Sequence, residues 1–349
     1  MRLGACAPDL PAPQFFIKEP DTMPKPIYVI ISLDVEEEGL FRGTYARHVS
    51  GVRNVAWLRE LAPLLARGVK PTLFCAHSVF TDRTAWPVLE DLRDRHGAEI
   101  GAHLHFWNTP PLPPGPDVLD AVPACELDEG LFAAKLESLF KAARDFQGAD
   151  VTSFRMGRWD MHKKHWPLLL EAGVKADSSV RPLFAAKNPR KGADHFNAPH
   201  TPYRVEQDGK SLLEVPLTVV PVSRLAAKLH KDPQTAAGRQ ARFYMRYWNS
   251  LSLLPVYYPL PFLKLAARLA LAESDVLMMT WHSSEMMPGG APHLPDDKAI
   301  GAMLARVGAW TDWLSRHWEV RFVTLSELAA QREERHLQPV PAGPGDWRP

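Results

Sequence analysis

Seven residues, IYVIISL, run from Ile27 to Leu33 without a charge, and the run stops on Asp34. Four of the seven are Ile or Val. An apolar, β-branched run with no polar face suits a parallel strand buried on both sides. Such a strand needs helices over both faces of its sheet, which points to an α/β architecture.

The rest of the chain repeats that grammar. Asn54 to Ala66 carries Trp57, Leu58, Leu61, Leu64 and Leu65 at helical spacing, and Gly68 closes it. KPTLFCAH is a short strand, a helix through Val88 and Leu92 follows, and AEIGAHLH is a third strand. Thr109 to Pro123 is a proline-rich loop, and Leu127 to Phe146 is a helix. Val151–Arg155 and Val174–Asp177 are strand-like and flank a helix from Trp166 to Ala172. Arg181 to Glu206 is irregular; Leu212–Thr218, Asp275–His282 and VRFVT are later strands. Ile300 to Leu314 is a helix, and Thr324 with Glu327 opens the last one as a capping box.

Strand and helix alternate in about seven units, which favours a single distorted (β/α)7-type barrel with parallel strands. The expected organisation is an arm over 1–25, a barrel over 26–337 with an insertion at about 181–274, and a tail over 338–349. Neither GxGxxG nor GxxxxGK[ST] occurs, so no dinucleotide fold or phosphate loop is supported.

A formal net charge of +1 gives no nucleic-acid footprint. Three cysteines without a CxxC pair argue against a thiolate zinc site and fit a reducing compartment. The N-terminus does not read as a signal peptide, so the expected location is cytoplasmic. The stretch 252–272, SLLPVYYPLPFLKLAARLALA, is too broken by proline and Lys264 to span a membrane. It reads as an apolar loop leading into a buried helix, or as a peripheral membrane surface that meets a lipid-linked substrate.

In a parallel barrel the active site lies at the C-terminal ends of the strands. The polar residues there are Asp34 and Glu36, His77, His103 and His105, Arg155, Asp177, Glu214 and His282. His103 and His105 share a strand face about 6–7 Å apart. With a carboxylate from a neighbouring strand they make an open set of two histidines and one carboxylate, suited to zinc or another first-row ion such as cobalt, nickel or manganese. His282 ends the run VLMMTW opposite that set, where a general acid belongs. A buried Arg155 needs a carboxylate, and Asp34 or Asp177 could serve. Glu37 and Glu38 read as a solvated acidic loop, His162 and His165 as surface residues, and His77 and His200 as lesser substrate candidates. Phe106, Trp107 and Trp159 offer flat aromatic faces to a substrate.

Five strings in this order resemble the motifs of the polysaccharide deacetylases of the NodB-homology type (carbohydrate esterase family four). They are SLDVEEEG, EIGAHLHFWNTPP, SFRMGRW, LLEAGVKADSSV and MMTWHSSE, spread over about residues 27–325. In that family the first motif carries adjacent aspartates and the second spaces its histidines four apart. Here the second acid is Glu36, and position 107 is Trp. The resemblance implies a metal-dependent hydrolase that removes an N-acetyl or other N-acyl group from a sugar or polysaccharide precursor. It implies Asp34 as base, Glu36 (or Asp34 itself), His103 and His105 as ligands, and His282 as acid. Arg155 would hold Asp34, and Asp177 would orient His282. Two other readings compete: an amidohydrolase acting on a small non-sugar amide, and a non-catalytic barrel that binds carbohydrate or protein.

Overall fold

The run at Ile27 forms β1, Ile27–Val35, and all nine of its residues are buried. The computed structural model of the protein describes residues 25–42, 45–48, 51–119, 124–185, 192–332, 337–343 and 347. The expected arm, apart from Lys25, lies outside the described residues.

Nine further strands join β1 in one sheet. They are β2 (Thr72–Ala76), β3 (Glu99–Leu104), β4 (Ser153–Met156), β5 (Ala176–Asp177) and β6 (Tyr203–Gln207). The others are β7 (Lys210–Glu214), β8 (Val276–His282), β9 (Val320–Phe322) and β10 (Pro339–Pro341). The order is β8-β1-β2-β3-β4-β5-β7-β6-β10, with β9 beside the first half of β1. All pairings are parallel except the hairpin β6–β7.

The sheet is rolled. On a flat sheet β8 and β4 would stand four strands apart, about 19 Å. Yet Arg155 of β4 donates to Thr280 of β8 at 2.8 Å, and to Ser32 of β1 at 3.0 Å. The chain after β7 narrows the remaining gap. The Val215 amide donates to the Asp177 carbonyl at 2.9 Å. Thr218 and Met278 of β8 then exchange bonds of 3.2 and 2.8 Å. Among the described residues the strand ladders form a path from β8 to β10, and no ladder joins its ends. The architecture is thus a mixed α/β fold around a large, mostly parallel, barrel-like sheet.

Helices cover the outside. Glu129–Gln147 starts on Asp128, which accepts from the Leu131 amide, and stops at Gly148 in the left-handed region (φ 71°). Asp297–His317 starts on Asp296 and buries Ile300, Met303, Leu304, Val307 and Trp310. The capping box at Thr324 and Glu327 forms as the sequence predicts, with bonds of 3.0 and 3.3 Å. Its helix, Leu325–Arg332, places Leu325, Leu328 and Ala329 against Tyr28, Ile30, Phe74 and Met278.

Two segments differ from expectation. The stretch read as an insertion supplies β6 and β7 to the main sheet, and three helices, Arg224–Leu229, Ala236–Trp248 and Leu260–Leu271. The last of these buries Leu263, Ala266, Ala267 and Ala270, as an apolar loop leading into a packed helix requires. The tail contributes β10, which pairs with β6, and its Trp347 packs edge-on to Trp166 and Tyr203. No helix among the described residues is long and apolar enough to cross a membrane.

Candidate active site

Strand register brings the polar ends together. Asp34 of β1 lies opposite His282 of β8, and His103 of β3 lies opposite Arg155 of β4. Asp34, Glu36, Glu37, His103, His105 and Arg155 are all buried.

Glu36, His103 and His105 present one ligand atom each, all within 4.8 Å of one another. The Nε2 atoms of His103 and His105 lie 3.7 and 3.3 Å from Oε2 of Glu36. Both rings are held through their other nitrogen. Nδ1 of His103 donates to the Arg155 carbonyl at 3.0 Å, and Nδ1 of His105 donates to Glu37 at 3.0 Å. With Nδ1 as the donor, each Nε2 would present its lone pair to an ion once it gives up any proton, the arrangement that metal-binding imidazoles need. Glu36 is anchored too: its amide donates to Ser283 at 3.1 Å, and its carbonyl accepts from Asn54 at 2.9 Å. Of three buried carboxylates, Asp34, Glu36 and Glu37, only Asp34 is paired with a permanent cation, Arg155, among the described residues. Such an excess of buried negative charge fits a bound divalent ion.

Glu37 is not the solvated loop residue the sequence suggests. Besides His105, it accepts from Ser78 at 2.9 Å, from Trp107 at 3.3 Å and from Asn108. Burial by itself would raise its carboxyl, but the charge and bond of His105 outweigh it and bring it down to about 2. Burial works against the His105 proton as well. Glu37 and Glu36 outweigh it, and the imidazole is pushed up to about 9.

Gly157 is required at the mouth. A Cβ there would stand 2.6 Å from both Cδ2 of His105 and the Leu104 carbonyl. The next residues, Arg158 and Trp159, turn through φ of 61° and 57°. Side chains rarely adopt that region, and such strain gathers at functional sites.

Asp34 uses Oδ1 to accept from Arg155 at 2.7 Å. Its Oδ2 stays open, 3.8 Å from Nε2 of His282 and 4.0 Å from Nε2 of His103. Burial raises this carboxyl, but Arg155, His103 and His282 together hold it below its ordinary value. Nδ1 of His282 bonds Glu285 at 2.9 Å, and Glu285 also bonds His293 at 2.7 Å. Burial would discharge His282, but Glu285, Glu36 and Asp34 push it up to about 10. That shift favours the protonated ring, whose Nε2 faces Asp34.

Asp177 does not orient His282. It is in register with Phe154, one residue from Arg155, so it points to the opposite face of the sheet. There it accepts from Trp166 at 2.8 Å and from Ser179, beside its register partner Glu214. Glu285 has the place at His282 instead. The signal lies in HSSE: a Glu three residues into a helical turn reaches back to its start, and its carboxylate takes the His282 amide at 2.8 Å.

Desolvation and the proximity of Asp177 raise Glu214 well above its usual value, and burial also raises Asp177, so the pair resists full ionisation. The stability gained from neutral Glu214 is complete below pH 4.5 and is lost as pH rises through its elevated folded value. Glu214→Gln should therefore melt above the parent by about 2–4 °C at pH 8, and by less at pH 5. Equal differences at both pH values in a thermal melt would exclude a raised Glu214 carboxyl.

Two of the three expected sugar-facing rings are closed off. Phe106 packs in the main core, and Trp107 stacks on His105 with ring centres 4.1 Å apart. Only Trp159 is partly exposed, with the Arg155 guanidinium 4.8 Å from its ring. His165 is buried against Phe132 rather than on the surface. His77 opens the helical turn after β2, where its carbonyl accepts from Thr81 at 2.9 Å, and neither it nor His200 joins the ligand cluster.

No family model matches the sequence, and no curated protein matches it. Solved structures do. A Mycobacterium smegmatis protein named as a polysaccharide deacetylase superposes with a TM-score of 0.52 at 16% identity, over 91% of this chain and 94% of that one. The Puue allantoinase gives 0.53 at 15% identity, over 89% and 91%. A Pseudomonas aeruginosa PAO1 protein named as a polysaccharide deacetylase gives 0.50 at 14%, over 88% and 92%. At these identities the likeness is one of fold, and the chain has the fold of these polysaccharide deacetylases.

Proposed function

We propose that the protein is a metal-dependent hydrolase that removes an N-acetyl or other N-acyl group from a sugar or polysaccharide precursor. The observation that carries this reading is the cluster of two histidines and a carboxylate beside an open carboxylate oxygen on Asp34, which faces His103 at 4.0 Å and His282 at 3.8 Å.

Glu36, His103 and His105 would hold the ion, which supplies Lewis acidity to the acyl carbonyl and to water. Asp34 takes the proton of the attacking water through Oδ2, while Arg155 fixes Oδ1 and keeps the carboxyl charged. The water oxygen bonds to the carbonyl carbon. His282 then delivers its Nε2 proton to the nitrogen as the C–N bond breaks, because an amine anion is too basic to leave. A carboxylate and an amine are the products. Glu285 positions His282 and stabilises its charge, and His293 completes that link towards the surface.

The allantoinase fold likeness favours one second reading, hydrolysis of a small non-sugar amide. The test is a panel of N-acetylated monosaccharides, chito- and peptidoglycan fragments, N-formyl sugars and allantoin, given to zinc-, cobalt- or manganese-loaded protein. Amine release from an N-acyl sugar is expected. Turnover of allantoin alone would select the second reading, and no turnover with a full metal site would overturn both.

A further inference from the structure

Two cations stand beside this site with no acid paired to them among the described residues. Arg181 follows β5 by four residues, and its side chain donates to no protein group among the described residues; only its backbone amide does, to His195. The Arg246 guanidinium donates, among the same residues, only to the Tyr247 hydroxyl, at 2.9 Å. By contrast Arg242, one turn earlier on the same helix, is paired with Asp194 at 2.8 Å.

Arg181 and Arg246 converge. Their guanidinium carbons lie 5.0 and 5.4 Å from the same ring, Phe184, and so stand within about 10 Å of each other. The ring offsets part of the cost, but a half-buried guanidinium beside a second one still lacks a counter-charge. The cost is felt at Arg181, where burial leads the causes that bring the guanidinium below its usual value.

The pair adjoins the reacting groups. Ser178 accepts from Arg155 through its hydroxyl at 2.9 Å and its carbonyl at 2.8 Å. Arg181 is three residues on, within about 10 Å of extended chain. From the other side, Tyr257 packs against His293 with ring centres 5.0 Å apart and the planes tilted by 39°, and His293 leads through Glu285 to His282. Arg181 lies near enough for its charge to act on Tyr257 and Tyr258. Guanidinium forks match the paired oxygens of phosphates and carboxylates.

We propose that Arg181 and Arg246 form a receptor for an anionic group, a phosphate or a carboxylate, carried by the substrate beside its acylated nitrogen. The link to turnover rests on the hydrolase reading; the anion site itself does not. Calorimetric titration of the metal-loaded protein with inorganic phosphate, and in parallel with glucuronate, distinguishes the two sources. One of the two should bind, and about 10–100-fold more weakly in Arg181→Gln and in Arg246→Gln at unchanged metal content. Arg181→Lys, which keeps charge but loses the fork, should fall between. If Arg181→Gln does not fold, Arg246→Gln carries the test, because Arg246 lies on an outer helix. Binding that survives in the variants would place the anion on the metal centre and overturn the proposal, as would binding of neither anion. Arginine-dependent binding in a protein that hydrolyses no N-acyl compound would keep the receptor and sink the hydrolase reading.

Discussion

Asp34→Asn is expected to lower turnover by about 10²–10⁴-fold while the protein keeps its metal. The amide side chain is close in shape to the carboxylate and can still meet Arg155, but it cannot take a proton from water. The open oxygen, Oδ2, is 3.8 Å from His282, beyond hydrogen-bond reach. A second effect comes from Arg155. With the carboxylate gone, this buried guanidinium keeps its bonds to Thr280, Ser32 and both Ser178 oxygens but loses its ion pair. Breaking a buried pair costs about 3–5 kcal/mol when nothing else remains. The four surviving bonds should hold the loss below that, so the variant folds with a lowered melting temperature. Metal content and turnover are measured on the same sample. Unchanged turnover would remove Asp34 from the mechanism. Loss of the metal along with activity would show that Asp34, rather than Glu36, is the carboxylate ligand.

Asp34, His103, Arg155 and His282 are legible in the sequence for one physical reason. Each lies at or near the end of an apolar run, and in a parallel sheet those ends converge wherever the sheet rolls. What the sequence does not supply is facing. β5 is two residues long, too short to show alternation, and a slip of one residue sends Asp177 to the outer face and Ser178 inward. Glu37 is hidden by its neighbours: in a run of three glutamates it reads with Glu38 as a solvated loop, yet of that pair it is Glu38 that ion-pairs at the surface, with Arg53. β10 reads as a tail because Pro339 and Pro341 flank Val340. An edge strand tolerates such prolines where it needs only one partner. β6 escapes notice because three of its five residues are half-exposed and it belongs to a hairpin at the sheet's margin.

The double variant His103→Ala, His105→Ala should reduce the metal content from about one ion per chain to near zero, and activity with it. The ligand set has three members among the described residues, and this change removes both nitrogens and leaves Glu36 alone. One carboxylate does not hold a first-row ion against water and buffer. Glu37→Gln provides the graded comparison. It leaves all three ligands in place and takes away only the charge that orients His105. Losing such a partner typically costs about 10–100-fold in metal affinity. The variant should therefore bind the ion weakly, and excess metal should restore its activity, which no metal concentration should do for the double variant. Elemental analysis after dialysis, followed by activity against added zinc, reads both effects. Full metal content in the double variant would show that the ion sits elsewhere, and the cluster of Glu36, His103 and His105 would then be a buried hydrogen-bond network rather than a metal site.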